Sequence, residues 1–302
     1  MMTYRIRLIP RSPWATPWHA DTLFAALCWQ VAATEGEGSL LELLQEFQSE
    51  NAPFVLSDAF PVGWFPCPLT ARLKRLPEIK PRRPDWVCEK QFRALLSDPG
   101  ELLADPHPFE PFVASRQLHA RIDRVTGTTT PNGQLFEVET FTLRNTGNGG
   151  ALALFVRTRN SLDRLTSLLR SLSLTGFGKK RSSGFGAFEV SGDPEPCPWM
   201  DQIEGADAFV SLSHFVPAQE DPTEGRWSLL TKYPKFSPGV PHGLVFKGRL
   251  TMLRPGSVFH TGGRPRSFYG TMLTNVSPDF PQAVHYALAF PVPMRWPEGG
   301  MK

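Results

Sequence analysis

Near the N-terminus, Tyr4, Ile6 and Leu8 alternate with Arg5 and Arg7. That period of two predicts a strand with one face turned to a core. The pattern then becomes helical, with Leu23, Leu27 and Val31 on one stripe and Phe24 and Cys28 beside it. His19 stands where this helix begins, and Asp21 or the preceding turn could cap it. A second short helix is predicted from Ser39, where Glu42 completes a capping box ahead of Leu40, Leu43, Leu44 and Phe47. Phe54-Val55-Leu56-Ser57 reads as the next strand.

Further on, the run from Ala151 to Val156 predicts a fully buried strand. Asn160 or Ser161 then offers an N-cap, and Leu162, Leu165, Leu168, Leu169 and Leu172 recur at helical spacing. Ala187-Phe188-Glu189-Val190 predicts another strand. Strand, helix, loop and strand in that order make the second half of a ferredoxin-like unit, with the loop feeding its last strand.

The stretch between the two halves of this unit, about 61–146, is irregular and proline-rich, and reads as a long insertion. It holds a basic cluster, Arg72, Lys74, Arg75, Lys80, Arg82 and Arg83, with only Glu78 inside it. Such runs are often solvated faces. Here the cations interleave with Leu73, Leu76 and Ile79, which suits a hairpin or arm lying over nucleic acid. Alternation from Gln134 to Phe141 predicts a strand closing the insertion.

Three prolines and five acids between Ser191 and Asp207 predict a linker, over about 193–207. Residues 208–302 then form a smaller domain, with strands expected at 209–213, 244–250 and 286–290. The expected fold class is α+β: two ferredoxin-like (RRM-like) domains, 1–192 and 208–302, the first carrying the insertion.

Composition adjusts this picture only slightly. Hydrophobic residues make up 41%, enough for real cores, while 30 prolines and 25 glycines point to many loops. A net charge of +3 means that a polyanion would be held by a local patch. Four scattered cysteines, Cys28, Cys67, Cys88 and Cys197, show no zinc-ligand spacing and suit a reduced cytoplasm. Neither a signal peptide nor an apolar run approaching the roughly 18 residues of a membrane span is visible.

Candidate chemistry concentrates between the predicted helix and the strand at 187–190. There Gly176, Phe177, Gly178, Lys179, Lys180, Arg181, Ser182, Ser183, Gly184, Phe185 and Gly186 follow one another. Glycines free the backbone for positive φ. Three cations and two hydroxyls between the glycine pairs could converge on one anion. The phosphate-loop and dinucleotide spacings are both absent, which disfavours either familiar nucleotide pocket. A basic, aromatic loop for a polyanion remains, against the plainer reading of a surface turn. Phe177 and Phe185 are either base-stacking platforms or core plugs. His260 to Arg266, with Arg264 beside two glycines, offers a second candidate phosphate contact or an ordinary turn.

The loop resembles the glycine-rich loop of the RAMP superfamily of CRISPR proteins. Two further stretches narrow the likeness. His19-Ala20-Asp21-Thr22-Leu23-Phe24-Ala25-Ala26-Leu27-Cys28-Trp29, and His119-Ala120-Arg121-Ile122-Asp123-Arg124-Val125-Thr126-Gly127 followed by Gln134-Leu135-Phe136-Glu137, resemble motifs of the fourth Csm subunit of type III-A effector complexes. Ala20, Ala25 and Ala120 depart from that family's usual residues.

The resemblance implies a non-catalytic subunit that holds the repeat-derived 5′ tag of crRNA. It also implies docking to the large Cas subunit with polymerase/cyclase-like domains and to the backbone Csm subunit. The glycine loop, His19, Arg121 and Arg124 would then contact RNA, with no cofactor or metal. The rival is an endoribonuclease cutting the crRNA precursor by acid–base chemistry, with His19 and His119 as partners. A Ser-His-Asp triad lacks support because Gly-x-Ser-x-Gly is missing, and His-x-x-x-His is absent too.

Overall fold

The computed structural model describes residues 1–49, 51–74, 83–103, 109–120, 122–129, 135–144, 150–236 and 246–297. The chain begins with β1 (Met2–Pro10), α1 (Ala20–Thr34), α2 (Glu37–Gln48) and β2 (Phe54–Pro61). The region expected to be irregular contains β3 (Trp64–Pro66), β4 (Arg72–Leu73), β5 (Trp86–Cys88), α3 (Glu89–Ser97) and β6 (Leu102–Leu103). It also contains a long hairpin of β7 (Phe112–Ala120) and β8 (Leu135–Leu143). Then come β9 (Leu152–Thr158), α4 (Asp163–Thr175) and β10 (Phe188–Pro196).

Four of these strands form an antiparallel sheet in the order β10-β1-β9-β2. All seven residues of β9 are buried, as its unbroken apolar run requires of a strand covered on both faces. Helices α1 and α4 present Leu23, Leu27 and Val31, and Leu165, Leu169 and Leu172, to the same core.

Several local expectations are corrected. Asp21 does not cap α1. It is buried, and its carboxylate pairs with Lys232 at 2.5 Å and His285 at 3.0 Å, both from the second half. Burial would push this carboxyl up, but His285 and Lys232 outweigh it and hold it well below the usual carboxylate range. The α1 terminus is met instead by Asp58 of β2, which accepts a hydrogen bond from the Ala20 amide at 2.8 Å. Helix α2 starts at Glu37, ahead of the expected Ser39 cap, so the Ser39 hydroxyl donates back to the Glu35 carbonyl. Residues 193–196, expected as linker, continue β10 beside β1, and Pro198–Met200 add a short 3₁₀ turn.

The second half contains β11 (Ala208–Ser211), β12 (Gly225–Arg226), β13 (Leu229–Lys232) and β14 (Leu250–Leu253). After these come β15 (Val258–His260), β16 (Tyr269–Leu273), β17 (His285–Ala289) and β18 (Pro291–Met294). One sheet runs β12-β15-β11-β18, and β13-β14 and β16-β17 form pairs. Among the described residues this half has no α-helix, which departs from a second ferredoxin-like domain. Of the strand expected at 244–250, residues 244 and 245 lie outside the described residues. Phe246 makes only an isolated bridge to Lys235.

The two halves share one hydrophobic core, to which β17 and β18 contribute Tyr286, Leu288, Val292 and Met294, with Phe290 between the two strands. Arg157 of β9 pins the junction. Its guanidinium donates to Thr3 Oγ1 at 3.0 Å and Asp201 Oδ1 at 3.1 Å. It also donates to the carbonyls of Met200 at 2.9 Å and Pro291 at 2.6 Å. Burying a guanidinium is tolerable only with partners of this number and quality.

Candidate nucleic-acid interface

The glycine loop leaves α4 at Gly176 (φ 77°) and is built by positive-φ residues: Gly178 (φ 84°), Lys180 (φ 65°), Gly184 (φ 85°) and Gly186 (φ 70°). Two glycines are demanded by crowding. A Cβ at Gly178 would meet the Thr16 side chain at 2.6 Å, and one at Gly186 would run into the Phe177 carbonyl. The loop base is closed by Phe177 N donating to Gly186 O at 2.8 Å, and Gly186 N donating to Pro13 O at 2.9 Å. A single 3₁₀ turn, Arg181–Ser183, forms the crown.

Both phenylalanines are core plugs, so neither is placed to stack a base. Phe177 is 1% exposed and stacks on Trp18 with centroids 4.3 Å apart, while Phe185 is 8% exposed. Two amides of the crown are committed within the loop: Ser183 N donates to Lys180 O, and Gly184 N to Arg181 O. The Lys179 amide donates to Thr16 Oγ1 at 2.8 Å. What the loop presents outward is side chains: Lys179, Arg181, Ser182 and Ser183 are exposed, and Lys180 is half-buried.

The β7–β8 hairpin stands against this loop. Lys180 Nζ lies over the Phe136 ring, 4.4 Å from its centroid. His119 stacks on Phe136 at 5.6 Å and approaches Phe185 at 5.9 Å. Phe136 remains 39% exposed. The hairpin's outer half is open to solvent, with Leu118, Ile122 and Val125 exposed and Arg124 exposed in the tip turn. Asp123 shapes that turn by accepting from the Val125 amide at 2.8 Å. Two sequence signals far apart in the chain, the loop and the His119 motif, are thus brought together. Phe136, the exposed ring between them, belongs to the alternating stretch Gln134-Leu135-Phe136-Glu137 that follows the His119 motif.

Other expected contacts separate from this surface. Arg121 lies outside the described residues, as do Arg75, Lys80 and Arg82 of the basic cluster. His260 ends β15 in acidic company, its Nδ1 3.1 Å from Glu224 and its Nε2 3.7 Å from Asp207, which suits no phosphate. Arg264 is exposed on the second half.

His19 does not meet His119. It packs on His214, ring centroids 4.1 Å apart, and His214 Nδ1 is 2.6 Å from Asp58 Oδ2. Burial presses the His19 imidazole down to about 4, so it is neutral at physiological pH. Burial opposes ionisation of Asp58, but His214 holds its carboxyl below the usual range. These three side chains edge a cavity of about 440 Å³ whose walls include Trp14, Trp86, Phe112 and Phe141, with Arg83 and Arg254 at its margins. Trp14 and Trp18 are core residues.

The first half thus has a β-α-β-β-α-β order with a cationic glycine loop before its last strand, and the class of protein it is similar to is the RAMP superfamily. That superfamily's family model matches residues 47–189. Among particular proteins, the chain is similar to ones named Csm4. The chain is 28% identical to the CRISPR system Cms protein Csm4 of Streptococcus thermophilus, over 78% of this chain and 84% of that protein. It is 26% identical to the Csm4 of Thermococcus onnurineus (strain NA1), over 97% of each chain. Among solved structures, the fold matches a chain of the Csm1–Csm4 cassette in complex with AMPPNP with a TM-score of 0.63. That match has 20% identity and covers 98% of this chain and 100% of the other. A chain of the Csm3–Csm4 subcomplex of the type III-A CRISPR-Cas interference complex matches with a TM-score of 0.62. There the identity is 14%, over 97% of this chain and 100% of the other. No helix among the described residues is long and apolar enough to cross a membrane.

Proposed function

We propose that this chain is a non-catalytic, RNA-binding subunit of a type III-A Csm interference complex, anchoring the 5′ tag of crRNA. The observation that carries the reading is the surface shared by the glycine loop and the hairpin. Lys180 lies over the half-exposed ring of Phe136, Lys179, Arg181, Ser182 and Ser183 are exposed on the same loop, and the hairpin tip exposes Arg124. Cations track a phosphate backbone, and an aromatic face receives an unstacked base of single-stranded RNA. We read the first half as a ferredoxin-like RAMP unit, from its strand order β10-β1-β9-β2. Residues 208–302 form the unit that buttresses it. The relatives' association with Csm1 and Csm3 supports docking of this chain to a large Cas subunit and to a backbone RAMP subunit.

The test is tagged-RNA binding by the triple variant Lys179→Ala, Lys180→Ala, Arg181→Ala. Affinity falls, and the slope of log affinity against log salt flattens by roughly 0.7 for each phosphate that is no longer neutralised. Unchanged affinity and slope would remove the loop from the RNA site.

The endoribonuclease reading has one observation in its favour, the pairing of His19 with His214 beside Asp58. Acid–base cleavage works best with groups titrating near the operating pH. A His19 held near 4 is a feeble base, which favours the binding role. Metal-free cleavage of repeat RNA, abolished by His19→Ala, would reverse that preference.

A further inference from the structure

We propose that His19, Asp58 and His214 form a binding site for a divalent transition-metal ion of the zinc class, open on its fourth side to the aromatic cavity. The inference is independent of the RNA reading. One donor atom from each of the three residues lies within 4.8 Å of the other two. Zinc bonds to imidazole nitrogen and carboxylate oxygen are roughly 2.0–2.2 Å long, so donors sharing a tetrahedral ion stand roughly 3.3–3.6 Å apart. Drawing the widest of these separations in by up to roughly 1.5 Å therefore completes the site. Two imidazoles and a carboxylate suit zinc and its neighbours in the first transition series rather than magnesium or calcium, which favour all-oxygen sites.

The three ligands come from separate parts of the chain: the residue before α1, the middle of β2, and the turn after β11. Asp58 is fixed in place, its Oδ1 accepting from the amides of Ala20 at 2.8 Å and His214 at 3.4 Å. Hydrogen bonds of that kind orient a ligating carboxylate. All three residues line the cavity wall, where Arg83 and Arg254 also stand, so the fourth donor is a water or an anionic oxygen. With the ion bound, both halves of the chain hold one centre: His19 and Asp58 from the first, His214 from the second. The competing role for the trio is a hydrogen-bonded latch with no metal.

The full chain, freed of any affinity tag, stripped with chelator and dialysed, is titrated with zinc chloride and followed by elemental analysis and thermal melting. One retained zinc per chain is expected, with a higher melting temperature in zinc than without it. His19→Gln and His214→Gln each lower zinc affinity by at least roughly tenfold, with far-ultraviolet circular dichroism unchanged. Should either variant fail to fold, the cobalt(II)-loaded wild-type chain decides. Visible d–d bands without a thiolate charge-transfer band support the site, and a thiolate band assigns the metal to cysteine instead. No retained zinc, or equal retention by folded variants, overturns the proposal and leaves the latch.

Discussion

At Gly186 the φ of 70° and the facing Phe177 carbonyl leave no room for a Cβ. The same two residues close the base of the cationic loop through a backbone hydrogen bond. Gly186→Ala adds a left-handed penalty of about 1–2 kcal/mol to that collision. The expected loss in urea unfolding is therefore about 2 kcal/mol or more, whereas an ordinary surface change stays within about 0.5 kcal/mol. A loss inside that smaller range would show that the loop base is not built this way. The glycines are legible because their spacing has no other economical use. The burial of Phe177 and Phe185 is not. Gly-Phe-Gly looks the same whether its ring faces solvent or Trp18, and only the packed structure decides. Asp21 misleads for a related reason: a carboxylate in a first helical turn usually caps, and nothing local announces Lys232 and His285, which are distant in the chain.

The hairpin is the element that sequence resolves least evenly. Strand β8 carries a period-two pattern that marks it. Strand β7 is exposed over most of its length on both faces, so no alternation marks it. Helix α3 hides in proline-rich surroundings, although Cys88 and Gln91 bracket its start as a capping box. In the second half, strands of two to five residues are too short for periodicity to register. Because Ala120 pairs with Leu135 across the hairpin, residues 121–134 can be replaced by Asn-Gly, a two-residue turn that suits twisted strands. Ile122, Arg124 and Val125 are exposed, so this truncation leaves the melting temperature unchanged. It removes Arg121 and Arg124, and the salt slope of RNA binding falls by roughly 0.7 for each of the two that neutralises a phosphate. Undiminished affinity after truncation would exclude the tip from the interface.

For the whole molecule, the informative features are those joining the halves. A common core, the Arg157 hub, the Asp21–Lys232 pair and the Asp58–His214 contact all cross the boundary drawn from composition. Composition sees a proline-rich, acidic stretch and reads a tether. The chain instead uses that stretch as an edge strand and lets β17 and β18 pack on the first half's helices and sheet. Convergence of residues 19, 58 and 214 is likewise a property of the tertiary fold and leaves no spacing to recognise.

If the loop and the hairpin together grip the tag, both must lie within bonding distance of its bases. Ultraviolet crosslinking of the Csm complex assembled on crRNA with a photoreactive 5′ tag, followed by peptide mapping, reads this out. Crosslinks falling within 177–186 and 112–143 are the predicted result. Crosslinks confined to other segments, with both of these silent, would contradict it.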